Sequence, residues 1–167
     1  MSRTKSAPPL LDVQQAEFLG GPVAINVASH DSDQVPSIAR AYGCRVTADR
    51  REVVVFLSRR RSEALLRDLS AGAPIAVVFS RPKTHETIQL KGARASVRPL
   101  AARDRARMRA CGAAFATEII ALGYPEGFSN TLMAPVNDEA VAVVFVPDAV
   151  FEQTPGPKAG QRLEPRP

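Results

Sequence analysis

The densest run of potential ligand-binding groups in this chain is Ser58-Arg59-Arg60-Arg61-Ser62. Each guanidinium is a planar fork of N–H donors that grips phosphate or carboxylate oxygens in pairs. The run follows an apolar stretch, EVVVFLS, and precedes a helical pattern over Ser62–Leu69 that ends near Gly72. It is therefore expected at a helix N-terminus, where exposed backbone N–H groups and the helix dipole already present positive charge. Three arginines repel that field unless an anion lies among them. A phosphate would offset the repulsion by accepting from guanidinium, backbone N–H and Ser hydroxyl donors together. The competing reading is a solvated charge run. Arg40 and Arg45 stand five positions apart on a neighbouring strand and so point to opposite faces of it. One of the two can reach the cluster; the alternative for each is an exposed strand arginine.

No other residue group carries chemistry as clearly. His30 and His85 fall in loops without a nearby thiolate or carboxylate cluster of ligand spacing, so no metal site is assigned. Cys44 and Cys111 are too few and too far apart for a disulfide framework, which points to a reducing, cytoplasmic setting. Neither has a histidine close by in sequence to activate it as a nucleophile. Ser29, Ser80 and Thr84 lack the G-x-S-x-G setting of a hydrolase nucleophile, and neither a P-loop nor G-x-G-x-x-G occurs. Tyr42 and Tyr124 read as a core residue and a possible stacking residue. No catalytic residue is assigned.

Composition narrows the class. The 167 residues are 45% hydrophobic and 23% charged, which is the balance of one folded domain. Lys and Arg number 22 against 17 Asp and Glu, so the net charge of +5 favours anionic ligands, although arginine-rich codon usage would also contribute. Aromatic residues are only 5%, too few for the base-stacking surface of a nucleic-acid-binding barrel. No apolar run is long enough for a signal peptide or a membrane span.

The elements that must position the cluster are mostly strands. Residues 1–9 and the Pro/Gly-rich tail 154–167 are expected to be irregular, with the folded domain over 10–153. Asp12 caps a short helix to Phe18 that Gly20-Gly21 ends, with an apolar side at Val13, Ala16 and Leu19. VAINVAS and VPSIARAYGCRV form a hairpin about the His30–Asp33 turn. EVVVFLS is too continuously apolar to meet water on either side, so it is central or faces a partner. APIAVVFS and HETIQLKGARASV follow, the latter with an alternation that slips at Gly92 as at a bulge or barrel bend. Ala101–Leu122 reads as one long helix, GYPEGFSN as a loop and AVAVVFVP as a sixth strand ended by Pro147. Six strands with short links and few helices predict a mainly β protein, an antiparallel barrel with flanking helices.

Over roughly residues 20–100 these pieces, in this order, resemble the flavin-binding split-barrel family of pyridoxamine 5′-phosphate oxidase and its relatives. The resemblance rests on VAINVASHDSDQVPSIAR, VVVFLS, the basic link into a short helix, and TIQLKG. It implies a six-stranded antiparallel split β-barrel that binds flavin mononucleotide (FMN). Arg40 and Arg59–Arg61 match the family's phosphate-holding positions, and Ser58 matches a hydroxyl residue near the flavin. Gln89 matches a glutamine that approaches the ring from the partner subunit, with Lys91 beside it, and Arg45 matches a substrate-contacting lysine. A homodimer with flavins between subunits follows from the same resemblance, as does an oxidoreductase acting on an unidentified small molecule. A flavin- or haem-binding carrier or sensor without turnover has the same fingerprints. The chain has no Trp and no C-terminal Arg-x-His element, so oxidation of vitamin B6 itself is not implied.

Overall fold

The computed structural model describes residues 9–132 and 139–164. The expectation for residues 1–9 falls, Pro9 aside, outside that range.

Among the described residues, ten strands form two antiparallel sheets. The first has the order β10-β9-β6-β5-β1-β2, from β1 (Ala24–His30), β2 (Pro36–Ala41), β5 (Ile75–Ser80), β6 (Thr87–Gly92), β9 (Ala149–Glu152) and β10 (Arg162–Leu163). The second has the order β3-β4-β8-β7, from β3 (Cys44–Val46), β4 (Val53–Ser58), β7 (Ala95–Pro99) and β8 (Ala140–Phe145). Helices α1 (Val13–Leu19), α2 (Glu63–Ser70), α3 (Ala102–Ala121) and α4 (Glu126–Leu132) flank them. None of the described helices is long and apolar enough to cross a membrane.

Two segments expected as single strands each bend and serve both sheets, which turns six expected strands into eight; β9 and β10 add two more from residues not expected as strands. VPSIARAYGCRV breaks at Tyr42-Gly43 into β2 and β3. There Tyr42 N–H donates to Phe56 O at 2.8 Å and Phe56 N–H to Gly43 O at 3.1 Å, so pairing continues round the corner. A Cβ on Gly43 would come within 3.1 Å of Cys111 Cβ. HETIQLKGARASV breaks at Gly92, where the alternation slips, and β6 passes into β7. A Cβ there would lie 2.9 Å from Phe145 Cδ2 and 3.1 Å from Val146 O, so only glycine lets the sheets approach at this corner. Strands that switch sheets in this way close a split barrel.

The barrel interior is one apolar cluster, with Val27, Val55, Leu57, Val77, Phe79, Leu90 and Val143 fully buried. α1 is held by a reciprocal cap: Gln15 N–H donates to Asp12 Oδ1 at 2.7 Å and Asp12 N–H to Gln15 Oε1 at 2.9 Å. It delivers Phe18 and Leu19 to the core, whereas Val13, expected on the apolar side, is exposed. α2 contributes Leu65, Leu66 and Leu69 to the same core, and its buried Asp68 accepts from Ser37 Oγ at 2.6 Å.

β4 is buried at every position. Val53, Val55 and Leu57 face the interior, while Val54 and Phe56 join Ala142 and Val144 in an outer cluster covered by Leu100 and by Met108 of α3. The chain's own helix thus covers the face that a partner subunit was one candidate to cover. The described part of the C-terminal tail is also more ordered than its prolines suggest. It turns back at Gly160, whose N–H donates to Glu152 O at 2.7 Å, and Arg162 and Leu163 pair with Phe151 and Val150. GYPEGFSN, read as a loop, instead contributes to α4.

Candidate functional site

The arginine run sits where expected, after β4 and before α2, but it does not act as a unit. Arg60–Ser62 is a single 3₁₀ turn. Three residues per turn set successive side chains about 120° apart, so neighbours in such a turn cannot converge on one ligand. Arg59 lines a cleft of ≈ 380 Å³ with Glu63, Leu66, Arg67, Ser70 and Val97, and its backbone N–H donates to Glu139 O at 2.9 Å. Arg60 is exposed and lines neither that cleft nor the one beside Arg61. Ser58 is fully buried, and its Oγ accepts from Arg61 N–H at 3.2 Å. Its hydroxyl therefore closes the turn that aims Arg61.

Arg61 leaves in the productive direction. It lines a cavity of ≈ 350 Å³ with Arg40, Tyr42, Phe128, Thr131 and Leu132. Its Nη1 donates to Tyr42 Oη at 3.4 Å. Arg40, half-buried at the end of β2, lies with its guanidinium carbon 4.9 Å from the centre of the Phe115 ring of α3. Burial lowers the Arg40 pKa from its ordinary value, with Tyr42 opposing the shift. A cation held this far out of water interacts strongly with any anion that enters. The cavity thus joins a cationic end, made by Arg40 and Arg61, to an apolar end, made by Phe128 and Leu132. Phe128 also stacks on Tyr124, ring centres 5.2 Å apart.

Sequence reasoning missed Tyr42, Phe115, Phe128 and Thr131. Tyr42 was read as core, which it is by burial, yet its hydroxyl reaches Arg61. Phe128, Thr131 and Phe115 come from the two helices after β7. Phe128 lies on the segment read as a loop and Thr131 just after it, and no local pattern links them to Arg40.

Gln89 and Lys91 do not line the Arg40–Arg61 cavity. The register nevertheless puts Gln89 on the same outward face as Arg40, through the row Arg40–Asn26–Val78–Gln89. Three strand spacings separate the two ends, roughly 14 Å. Gln153 Nε2 donates to Gln89 Oε1 at 3.2 Å, which fixes the amide. Lys91 lies on the next row, its Nζ 5.0 Å from the centre of the Phe151 ring, and borders a groove with Ser29, His30 and Asp148. Arg45 is elsewhere: its Nε bonds Asp104 Oδ1 at 3.1 Å beside α3, in a different cleft. Cys44 and Cys111 are free and buried, and burial pushes the Cys44 thiol pKa well above its usual range. Neither is a nucleophile in this fold.

No family model and no curated protein matches the sequence. Solved structures do match in fold. A Lactobacillus delbrueckii protein described as a pyridoxamine 5′-phosphate oxidase superimposes with a TM-score of 0.52 at 12% identity, covering 85% of this chain and 93% of its own. Group A Streptococcus HupZ gives 0.54 at 12% identity, over 90% and 100% of the two chains. An F420 reductase gives 0.50 at 13% identity, over 84% and 98%. The chain has the split-barrel fold of the pyridoxamine 5′-phosphate oxidase-like proteins.

Proposed function

We propose that this chain binds FMN, with the flavin phosphate held between Arg40 and Arg61, and that it works as a flavin-dependent oxidoreductase on a small molecule. The observation that carries the reading is the convergence of two guanidiniums from separate elements on one cavity, in a fold whose solved examples include proteins named as an oxidase and a reductase. Arg61 offers a paired grip on phosphate oxygens, and Tyr42 orients it. Arg40, resting on Phe115, supplies the second charge. The mixed lining suits a ligand with a charged end and a planar apolar body, and the cavity's size is that of ordinary small-molecule sites. Bound FMN would supply hydride chemistry, while the protein anchors the phosphate, orients the ring and shields it from water.

The same reading makes the active form a homodimer. The outward face of the first sheet carries the small residues Ala28 and Ala76 beside exposed Ile38, and pairing two copies there would bring Gln89 and Lys91 of one towards the flavin of the other. The deciding experiment is purification without added cofactor, followed by visible absorption and light scattering on a sizing column. A flavin double band from a dimer supports the proposal. A Soret band would replace FMN by haem, and a colourless protein that does not take up added FMN refutes it.

A further inference from the structure

We infer that the cleft between α1, the β3–β4 turn and α3 is a second anion site, independent of the Arg40–Arg61 cavity and suited to a small, doubly charged oxyanion. This cleft, of ≈ 560 Å³, is bordered by Arg45, Arg50, Arg107, Glu17, Thr47 and Gly20, none of which lines the first cavity. Its charged lining residues are Arg45, Arg50, Arg107 and Glu17. Two of the three guanidiniums are fixed by bonds that leave part of each fork open. Arg45 is held through Nε by Asp104 at 3.1 Å, and Asp104 is itself fixed by accepting from Ala101 N–H at 2.8 Å. Arg107 donates from Nε to Cys44 O at 2.9 Å and from Nη2 to Gly20 O at 2.8 Å. Its guanidinium packs so closely on Gly20 that a Cβ there would lie 2.5 Å from Nη2. Both Nη groups of Arg45 and Nη1 of Arg107 have no protein partner among the described residues.

Arg107 is plainly a structural staple as well, since it ties α3 to α1 and β3. The cleft differs from a solvated charge patch because two of its three cations, Arg45 and Arg107, are immobilised before any ligand arrives, so little of their side-chain entropy remains to be lost on binding. Arg50 completes the ring from the turn, where its φ of 59° is a conformation that Asn or Gly adopts at less cost. The local acids offset part of the charge: Asp104 pairs with Arg45, Glu17 lines the cleft, and Asp49 accepts from Thr47 Oγ1 at 2.6 Å and Arg51 N–H at 3.2 Å, while Arg50 and Arg107 make no ion pair among the described residues. A phosphate-sized dianion would accept from Arg45, Arg50 and Arg107 together.

The probe is inorganic phosphate, titrated calorimetrically at constant ionic strength into the full chain carrying Arg61→Ala, which disables the first cavity at an exposed position. That protein should still bind phosphate. Adding Arg50→Asn should weaken binding by about tenfold, the worth of a charge-assisted contact, with an unchanged melting temperature because Asn suits the turn. Absence of binding in Arg61→Ala, or binding that Arg50→Asn leaves unchanged, overturns the inference. FMN uptake by wild-type protein is a separate readout, so the two proposals fail independently.

Discussion

Replacing Arg61 by Ala separates ligand binding from folding more cleanly than any other change to the first cavity. The side chain is exposed, and its one side-chain hydrogen bond is the long 3.4 Å contact to Tyr42 Oη. Losing it should cost stability no more than about 0.5 kcal/mol, as for surface substitutions generally. The same guanidinium is proposed to make a charge-assisted, paired contact to the flavin phosphate, worth about 1.5–3 kcal/mol. At about 1.4 kcal/mol per factor of ten, FMN affinity should fall roughly 10- to 150-fold while the melting temperature stays put. Quenching of flavin fluorescence on titration into apo-protein measures the first quantity, and a circular dichroism melt the second. Tyr42→Phe should show a smaller loss, because it removes only the group that orients Arg61. Arg59→Ala and Arg60→Ala serve as internal controls, since those side chains leave the 3₁₀ turn in other directions. If Arg61→Ala binds FMN as tightly as wild type, or Arg59→Ala proves equally damaging, the assignment of the cavity is wrong.

Other consequences concern the frame. Gly92→Ala drives a Cβ against Phe145, Val146 O and Ile75 at the barrel corner and should destabilise the fold by about 1–3 kcal/mol, read from urea unfolding. Asp104→Ala strips Arg45 of its partner and Ala101 N–H of its acceptor, and a loss of about 1–3 kcal/mol is expected in the same assay. The Cys44 thiol should resist a thiol reagent at pH 8 until the chain unfolds; labelling at the rate of a free thiol would contradict its burial. Because its native pKa is raised, its contribution is complete below the usual thiol range and lost above it. There the unfolded chain ionises while the native one does not, so Cys44→Ala should flatten the fall in stability at alkaline pH.

Much of the frame was legible because local patterns carry it. The Asp12 cap, the hairpin about Asp31, the uninterrupted apolar β4 and the slipped alternation at Gly92 each depend on residues close in sequence. Where the reading departed, the cause was tertiary. Val13, expected on the apolar side, is exposed because docking of α1 on the barrel, and not its own periodicity, decides which flank is covered. The tail forms a strand because β9 leaves an open edge that Arg162 and Leu163 can pair with. EVVVFLS invited a partner subunit, but Leu100, just before α3, and Met108 of α3 cover it from the same chain.

By itself the sequence determined that this is a basic, mainly β chain whose arginines concentrate between an apolar strand and a helix. Composition and short-range pattern are enough for that, since strand alternation, caps and charge runs are properties of neighbouring residues. Which arginine faces the cavity was decided only by the folded chain. The 3₁₀ turn fans Arg59, Arg60 and Arg61 apart, and closure of the barrel carries Arg40, twenty-one positions before Arg61, to the same cavity. The turn geometry and the sheet register act over distances that no run of consecutive side chains encodes, so a cluster of three in sequence becomes a pair in space.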